Sequence, residues 1–302
     1  MSDFTALGVI HTIEADGVRA DIGTVAAVLA GLWHGDTVLS EPLGRDTPPA
    51  GGCGMVLAPW PNRVRDGRWT LDGAVQQLDL SEPSLGNASH GLLRNTEYTV
   101  REATRSSVLL GARIPPQHGF PFALDTWVRY EVGAGGLMTT HGVENLGGAR
   151  APWAVGAHPY LRVGAQPVPE LTLTVPAARY WAMDERNLPT EELPVDGTPF
   201  DARDGVALAS AELNTAFTAL SPVEHAVAWL DGDAGRTTVW ADPDFGVLLA
   251  YTNRSFPNAE GMGIALEPMT AAADALNNGA GLRWLQPGER WSGRWGVRFD
   301  AL

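Results

Sequence analysis

Leu124-Asp125-Thr126-Trp127-Val128-Arg129-Tyr130-Glu131-Val132 is the stretch from which the fold can be read. Leu124, Thr126, Val128, Tyr130 and Val132 alternate with Asp125, Trp127, Arg129 and Glu131, the two-residue period of a strand with two distinct faces. The C-terminal end repeats the pattern. Trp291, Gly293, Trp295, Val297 and Phe299 point one way, while Arg290, Ser292, Arg294 and Arg298 point the other. Further strands are expected at 17–22, 24–33, 56–60, 137–144, 171–175, 206–208, 237–240 and 246–252, although 24–33 reads equally well as a short helix. Segments 67–71 and 74–80 flank Asp72-Gly73, the dipeptide of a type I′ hairpin turn. No long helical period occurs, and 271–278 has room for one helical turn or two.

The 35 Gly and 22 Pro are dispersed rather than gathered in a linker, as many short strands require. Without an internal repeat or a break in composition, the 302 residues read as one large antiparallel β-sandwich, a single domain over 1–302. Its 11 Trp are expected to pack mostly between the sheets, with some lining a cleft.

A formal charge of −14 opposes binding to nucleic acid or anionic lipid, which demands clustered cations. All 21 basic residues are arginine, so Schiff-base, pyridoxal and P-loop lysines are excluded. Cys53 is the only cysteine; no intrachain disulfide or Cys-cluster metal site can form, and within Gly51-Gly52-Cys53-Gly54 it reads as a small buried thiol. The first residues lack the pattern of a secretion signal, and no apolar run has the roughly 18 residues of a membrane span, so a soluble cytoplasmic protein is expected.

The usual signatures of zinc hydrolases, serine acyl transferases, dinucleotide binding and EF-hands are missing. What remains is a set of polar residues in apolar or turn-like settings: Asn62-Arg63, Ser89-His90-Gly91, His158 in Gly156-Ala157-His158-Pro159-Tyr160-Leu161, and Glu267-Pro268. Proline restricts the residue before it to extended backbone, so His158 is expected at a strand end with its imidazole aimed. It could serve as a general acid or base, or merely satisfy a buried hydrogen bond. Glu267, ending an apolar strand before a proline, is expected to be half-buried; it either has a chemical task or is a strand-end carboxylate in water. Arg63 could equally be a surface ion pair, and His90 a turn cap.

Taken together and in this order, these motifs resemble those of aldose 1-epimerases, the galactose mutarotase family. The likeness runs from about 55 to 288 and includes Asp184-Glu185-Arg186-Asn187-Leu188-Pro189. The resemblance implies a galactose mutarotase-type β-sandwich that interconverts the α and β anomers of a free aldose, with no cofactor and no metal. It implies Glu267 as general base and His158 as general acid, with Arg63, His90, Asn62 and Tyr160 as sugar contacts. A nearby Glu267 anion is expected to raise the pKa of His158 and keep it protonated. Asn214 stands where the family usually has aspartate, which bears on sugar preference. The expected partner is a monosaccharide, and the expected state a monomer or homodimer.

Two other readings compete. A hexose-6-phosphate 1-epimerase would need several cations at one end of its pocket; Arg65, Arg68 and Arg94 lie near the motifs, but their interleaving with Asp66 and Glu97 reads as solvated surface. A non-catalytic sugar-binding protein on the same fold is the third.

Overall fold

In the structure, a computed structural model that describes residues 5–302, the alternating stretch is the strand Leu124–Gly133, along which buried and half-buried side chains exchange without a break. It is third in a nine-stranded sheet ordered Thr99–Ala103, Ser107–Ile114, Leu124–Gly133, Gly136–Asn145, Arg290–Ala301, Gly235–Ala241, Ala226–Gly232, Thr172–Thr174 and Val206–Ala207. The C-terminal strand is therefore central. That position buries Trp295 and Val297 on its inner face and leaves Arg290 and Arg294 exposed on the outer one, as the alternation predicts.

A second, seven-stranded sheet runs Pro189–Pro194, Ala177–Met183, Asn214–Leu220, Val247–Asn253, Gly263–Met269, Gly156–Ala157 and Val56–Leu57. Both large sheets pair antiparallel and stay open, so the fold is an all-β antiparallel sandwich. One core joins them: Val128, Tyr130, Trp295 and Val297 from the first sheet pack with Phe217, Leu248, Ala250, Ile264 and Leu266 from the second. Burying each such side chain is worth about 1.5–3 kcal/mol, so the sheet faces are firmly assigned. With Leu248, Ala250, Ile264 and Leu266 committed to the core, the period of two sends Leu249, Tyr251, Ala265 and Glu267 to the opposite face.

The hairpin is as expected. Leu71 pairs with Ala74, and the two turn residues Asp72 and Gly73 have φ of 47° and 83°, the left-handed values a type I′ turn needs. The run 24–33 divides instead of forming one element. A strand starts only at Leu29, because Ala26 and Ala27 take φ of 56° and 47° and are buried under the segment around Thr96. The strand Ile10–Ala15, edge of a separate four-stranded sheet, carries too weak an alternation to be read. Of 271–278 only Ala275–Asn278 is helical, and just before it the backbone N–H of Asp274 donates to the carbonyl of Arg63 at 2.6 Å.

Candidate active site

Gly156 is paired with Met269, and Tyr160 with Ala265, across an antiparallel ladder. The residues midway between are His158 and Glu267, which this register sets opposite each other on one face. Their Nε2 and Oε1 atoms lie 3.1 Å apart. His158 follows directly on the strand Gly156–Ala157, as Pro159 led one to expect. Its N–H donates to Met55 at 3.1 Å and its carbonyl accepts from Gly54 at 2.8 Å, so the main chain cannot rotate away.

The imidazole is enclosed. Tyr160 stacks on it with ring centroids 5.3 Å apart and planes 12° from parallel, and His90 meets it edge-on at 5.6 Å. The loop behind closes tightly only because it is glycine: a Cβ at Gly51 would sit 2.7 Å from Tyr160 Oη, and one at Gly52 3.3 Å from His158 Cδ2. Both glycines also have positive φ, 58° and 75°. Cys53, next in this loop, is buried and burial pushes its thiol up to about 12, so it remains an inert SH.

Arg63 begins a second, two-stranded ladder, in which it is opposite Ser89, the residue before His90. Just beyond it, the His90 N–H donates to the Asn62 carbonyl at 2.8 Å. Asn62 and His90 both take left-handed backbone, φ 56° and 64°, which asparagine and histidine accept more readily than most residues. Arg63 is locked by Glu82, whose two carboxylate oxygens accept from Nε at 2.7 Å and Nη2 at 2.8 Å; Asn62 Oδ1 accepts from Nη1 at 3.3 Å. This two-point clamp holds the Glu82 carboxyl below its usual range even though burial alone would raise it.

These residues surround a cleft of about 470 Å³, a suitable size for one small molecule. Asn62, Arg63, His90, His158, Asn214 and Glu267 all line it. Tyr160 does not. It is wholly buried behind His158, so the expectation of a sugar contact is corrected: its ring supports the imidazole, and its hydroxyl reaches only Asn253, at 3.4 Å. Glu267 is also more enclosed than expected. The strand Gly263–Met269 continues past it because Pro268 and Met269 stay in register with Leu248 and Val247, and only 1% of Glu267 is exposed.

Glu82, Asn187 and Tyr251 line the cleft and were not singled out in the sequence. Arg94, read as solvated surface, lines it as well. For Glu82 and Arg94 the only signal was proximity to Ser89-His90-Gly91, for Asn187 it was membership of the 184–189 motif, and Tyr251 had none beyond its place in a strand. No tryptophan lines this cleft; Trp153, Trp181 and Trp291 border a separate hollow of about 670 Å³ that lacks a histidine.

Electrostatics depart from the sequence expectation too. Burial pushes Glu267 from 4.5 up to about 8, with Arg63 pulling weakly the other way. Burial, aided by Arg63, pushes His158 from 6.5 down to about 4. Desolvation prevails over any Glu267 anion, so His158 is not held protonated. Burial likewise drives His90 well below its ordinary value, helped by His158, Arg63 and Arg94. Between about 4 and about 8 the His158–Glu267 pair carries a single proton, which burial favours on the carboxyl. His158 Nδ1, Glu267 Oε2 and His90 Nδ1 are buried without a hydrogen-bond partner, so this corner of the cleft is under-satisfied. Among the described residues no three His, Cys, Asp or Glu side chains are grouped so as to hold a metal ion, and no helix is long and apolar enough to cross a membrane.

The fold is thus an open antiparallel sandwich with a buried His–Glu pair in a small polar cleft. The family model for aldose 1-epimerase matches residues 10–298, and the chain belongs to that family. It is 31% identical over 279 residues, 92% of this chain and 89% of the other, to the uncharacterized protein YihR of Escherichia coli (strain K12). Its fold is that of a galactose mutarotase-like protein from Clostridium acetobutylicum, with TM-score 0.84 and 20% identity over 96% of this chain and 95% of that one. The galactose 1-epimerase of Lactobacillus acidophilus is similar at TM-score 0.81 and 20% identity, with coverage of 96% and 93%.

Proposed function

We propose that the protein is a cofactor-independent aldose 1-epimerase, a single catalytic unit that interconverts α and β anomers of an aldose by opening and closing its ring. The observation that carries this reading is the ladder register that sets His158 opposite Glu267 within the cleft.

Ring opening of a hemiacetal removes a proton from the C1 hydroxyl and delivers one to the ring oxygen; closure on the other carbonyl face reverses both transfers. The two oxygens hang on one carbon, so acceptor and donor must lie side by side, as Oε1 and Nε2 do. A pair that shares one proton has one acceptor and one donor. When sugar hydroxyls donate to Glu267, they stabilise its carboxylate, and the proton passes to His158. Glu267 then acts as base on the C1 hydroxyl, and His158 as acid toward the ring oxygen. Arg63, fixed by Glu82, donates hydrogen bonds to sugar oxygens, and His90, Asn62 and Asn214 supply further polar contacts. Acid-base catalysis of this kind is worth roughly 10² to 10⁴ in rate.

The test is polarimetry. Purified protein is expected to speed the optical-rotation decay of at least one fresh anomer in a panel of neutral and charged aldoses. A panel in which no decay is faster than in buffer would overturn the assignment.

A further inference from the structure

Arg94 is an exception among the arginines of this chain. Most of the others are in ion pairs; Arg19 covers Trp33 and Arg68 bonds to Gln77. Among the described residues, only Arg45, Arg94 and Arg105 make neither an ion pair, a side-chain hydrogen bond nor a cation-π contact. Arg45 and Arg105 are exposed, where an unpaired guanidinium is ordinary. Arg94 is half-buried and lines the cleft that holds His158 and Glu267.

The other charges around that cleft are already accounted for. Glu82 is clamped by Arg63 and feels Arg94 only through space, so two guanidiniums face one carboxylate, and Glu267 shares one proton with His158. Asn62, Asn95, Asn187 and Asn214 contribute amides and no charge. One positive charge is left over, facing a small-molecule site in a protein of net charge −14. A guanidinium with free N–H donors in a narrow cleft is a receptor for an oxyanion.

We propose that the substrate is an aldose carrying one negative charge on a substituent away from C1, and that Arg94 is the residue that pairs with it. This rests on the epimerase reading of the same cleft. A single uncompensated guanidinium matches a monoanion, a carboxylate or a sulfonate. A phosphate monoester, close to dianionic at neutral pH, would leave charge unpaired.

The experiment compares kcat/KM by polarimetry for D-glucose, D-glucuronate, 6-deoxy-6-sulfo-D-glucose and D-glucose 6-phosphate, in wild type, Arg94→Gln and Arg94→Lys. Wild type is expected to favour at least one of the two monoanionic sugars over glucose by roughly ten- to a hundredfold, the worth of a charge-assisted hydrogen bond. Arg94→Gln is expected to collapse that ratio through KM, with Arg94→Lys keeping part of it; which monoanion leads distinguishes carboxylate from sulfonate. Acceleration of glucose with no preference for either monoanion overturns the proposal and leaves the epimerase reading standing. So does a preference that Arg94→Gln leaves intact, or a lead for the phosphate. Failure with all four sugars and the wider neutral panel overturns both.

Discussion

His158 and Arg162 lie one short stretch apart, both buried and both against glutamate, yet they are opposites in how the glutamate is used. Arg162 is saturated. It donates to Glu41 at 2.8 Å, to both oxygens of Glu260 at 2.9 and 3.1 Å, and more weakly to the carbonyls of Gln166 and Gly164; Asn258 adds a further donor to Glu41. Burial works against the Arg162 cation, but its glutamates more than offset it. Burial still raises Glu41 despite Arg162, yet its carboxylate has two donors. The His158–Glu267 pair has one contact, at 3.1 Å, and leaves Nδ1 and Oε2 without partners. A saturated charge cluster resists change and braces the fold, whereas an under-satisfied pair with displaced pKa values exchanges protons easily.

The sharpest way to break this comparison is to neutralise each glutamate or its partner. Glu267→Gln is expected to lower kcat by about 10² or more while leaving thermal stability intact, since an amide removes a buried acid that folding disfavours. A folded variant with unimpaired turnover would end the claim that this carboxyl reacts. Arg162→Met is expected to do the reverse: it strands Glu41 and Glu260 and should cost about 3–5 kcal/mol in denaturant unfolding, with kcat of the folded enzyme close to wild type.

Next in size is the pH response. Turnover needs the pair singly protonated, so kcat/KM should be flat in between and fall below about pH 4 and above about pH 8. For stability the sign follows from each shift. Glu267 is raised, so its contribution is complete below 4.5 and is lost as pH climbs to about 8. His158 is lowered, so its contribution is complete above 6.5 and is lost as pH falls to about 4. The two oppose each other between 4.5 and 6.5, and above that only Glu267 titrates. From pH 6.5 to 8 wild type should therefore lose at most about 2 kcal/mol relative to Glu267→Gln, visible as a wild-type Tm that falls with pH relative to that of the variant. Parallel Tm curves for the two proteins over this range would show that the carboxyl is not raised.

The smallest effect belongs to Tyr160→Phe. The hydroxyl has one long contact and the ring does the supporting, so stability should change by about 1 kcal/mol or less and kcat by only a few-fold. A large rise in KM for the preferred sugar would restore the hydroxyl as a sugar contact.

How much of this could be read in advance depends on range. Alternation at 124–132 and 291–299, and the Asp72-Gly73 turn, are local properties, and each appears in the structure where the residues put it. The run 24–33 failed because its apolarity serves burial beneath a distant segment rather than one element. Tyr160 was misjudged because sequence gives alternation but not which side of a histidine faces solvent. Arg94 was misjudged because neighbouring acids in sequence need not be neighbours in space, and neither Asp66 nor Glu97 pairs with it.

The chain on its own determined an antiparallel β architecture, an aimed histidine before proline and the absence of lysine chemistry. It did so because backbone preference, side-chain alternation and composition act over a few residues or over none. Only the tertiary structure decided that His158 meets Glu267, that Glu82 clamps Arg63, and that one guanidinium lining the cleft makes no ion pair. Those outcomes depend on strand register and burial. Both are fixed by the packing of the whole core, and burial reversed the proton affinities that the isolated side chains would have had.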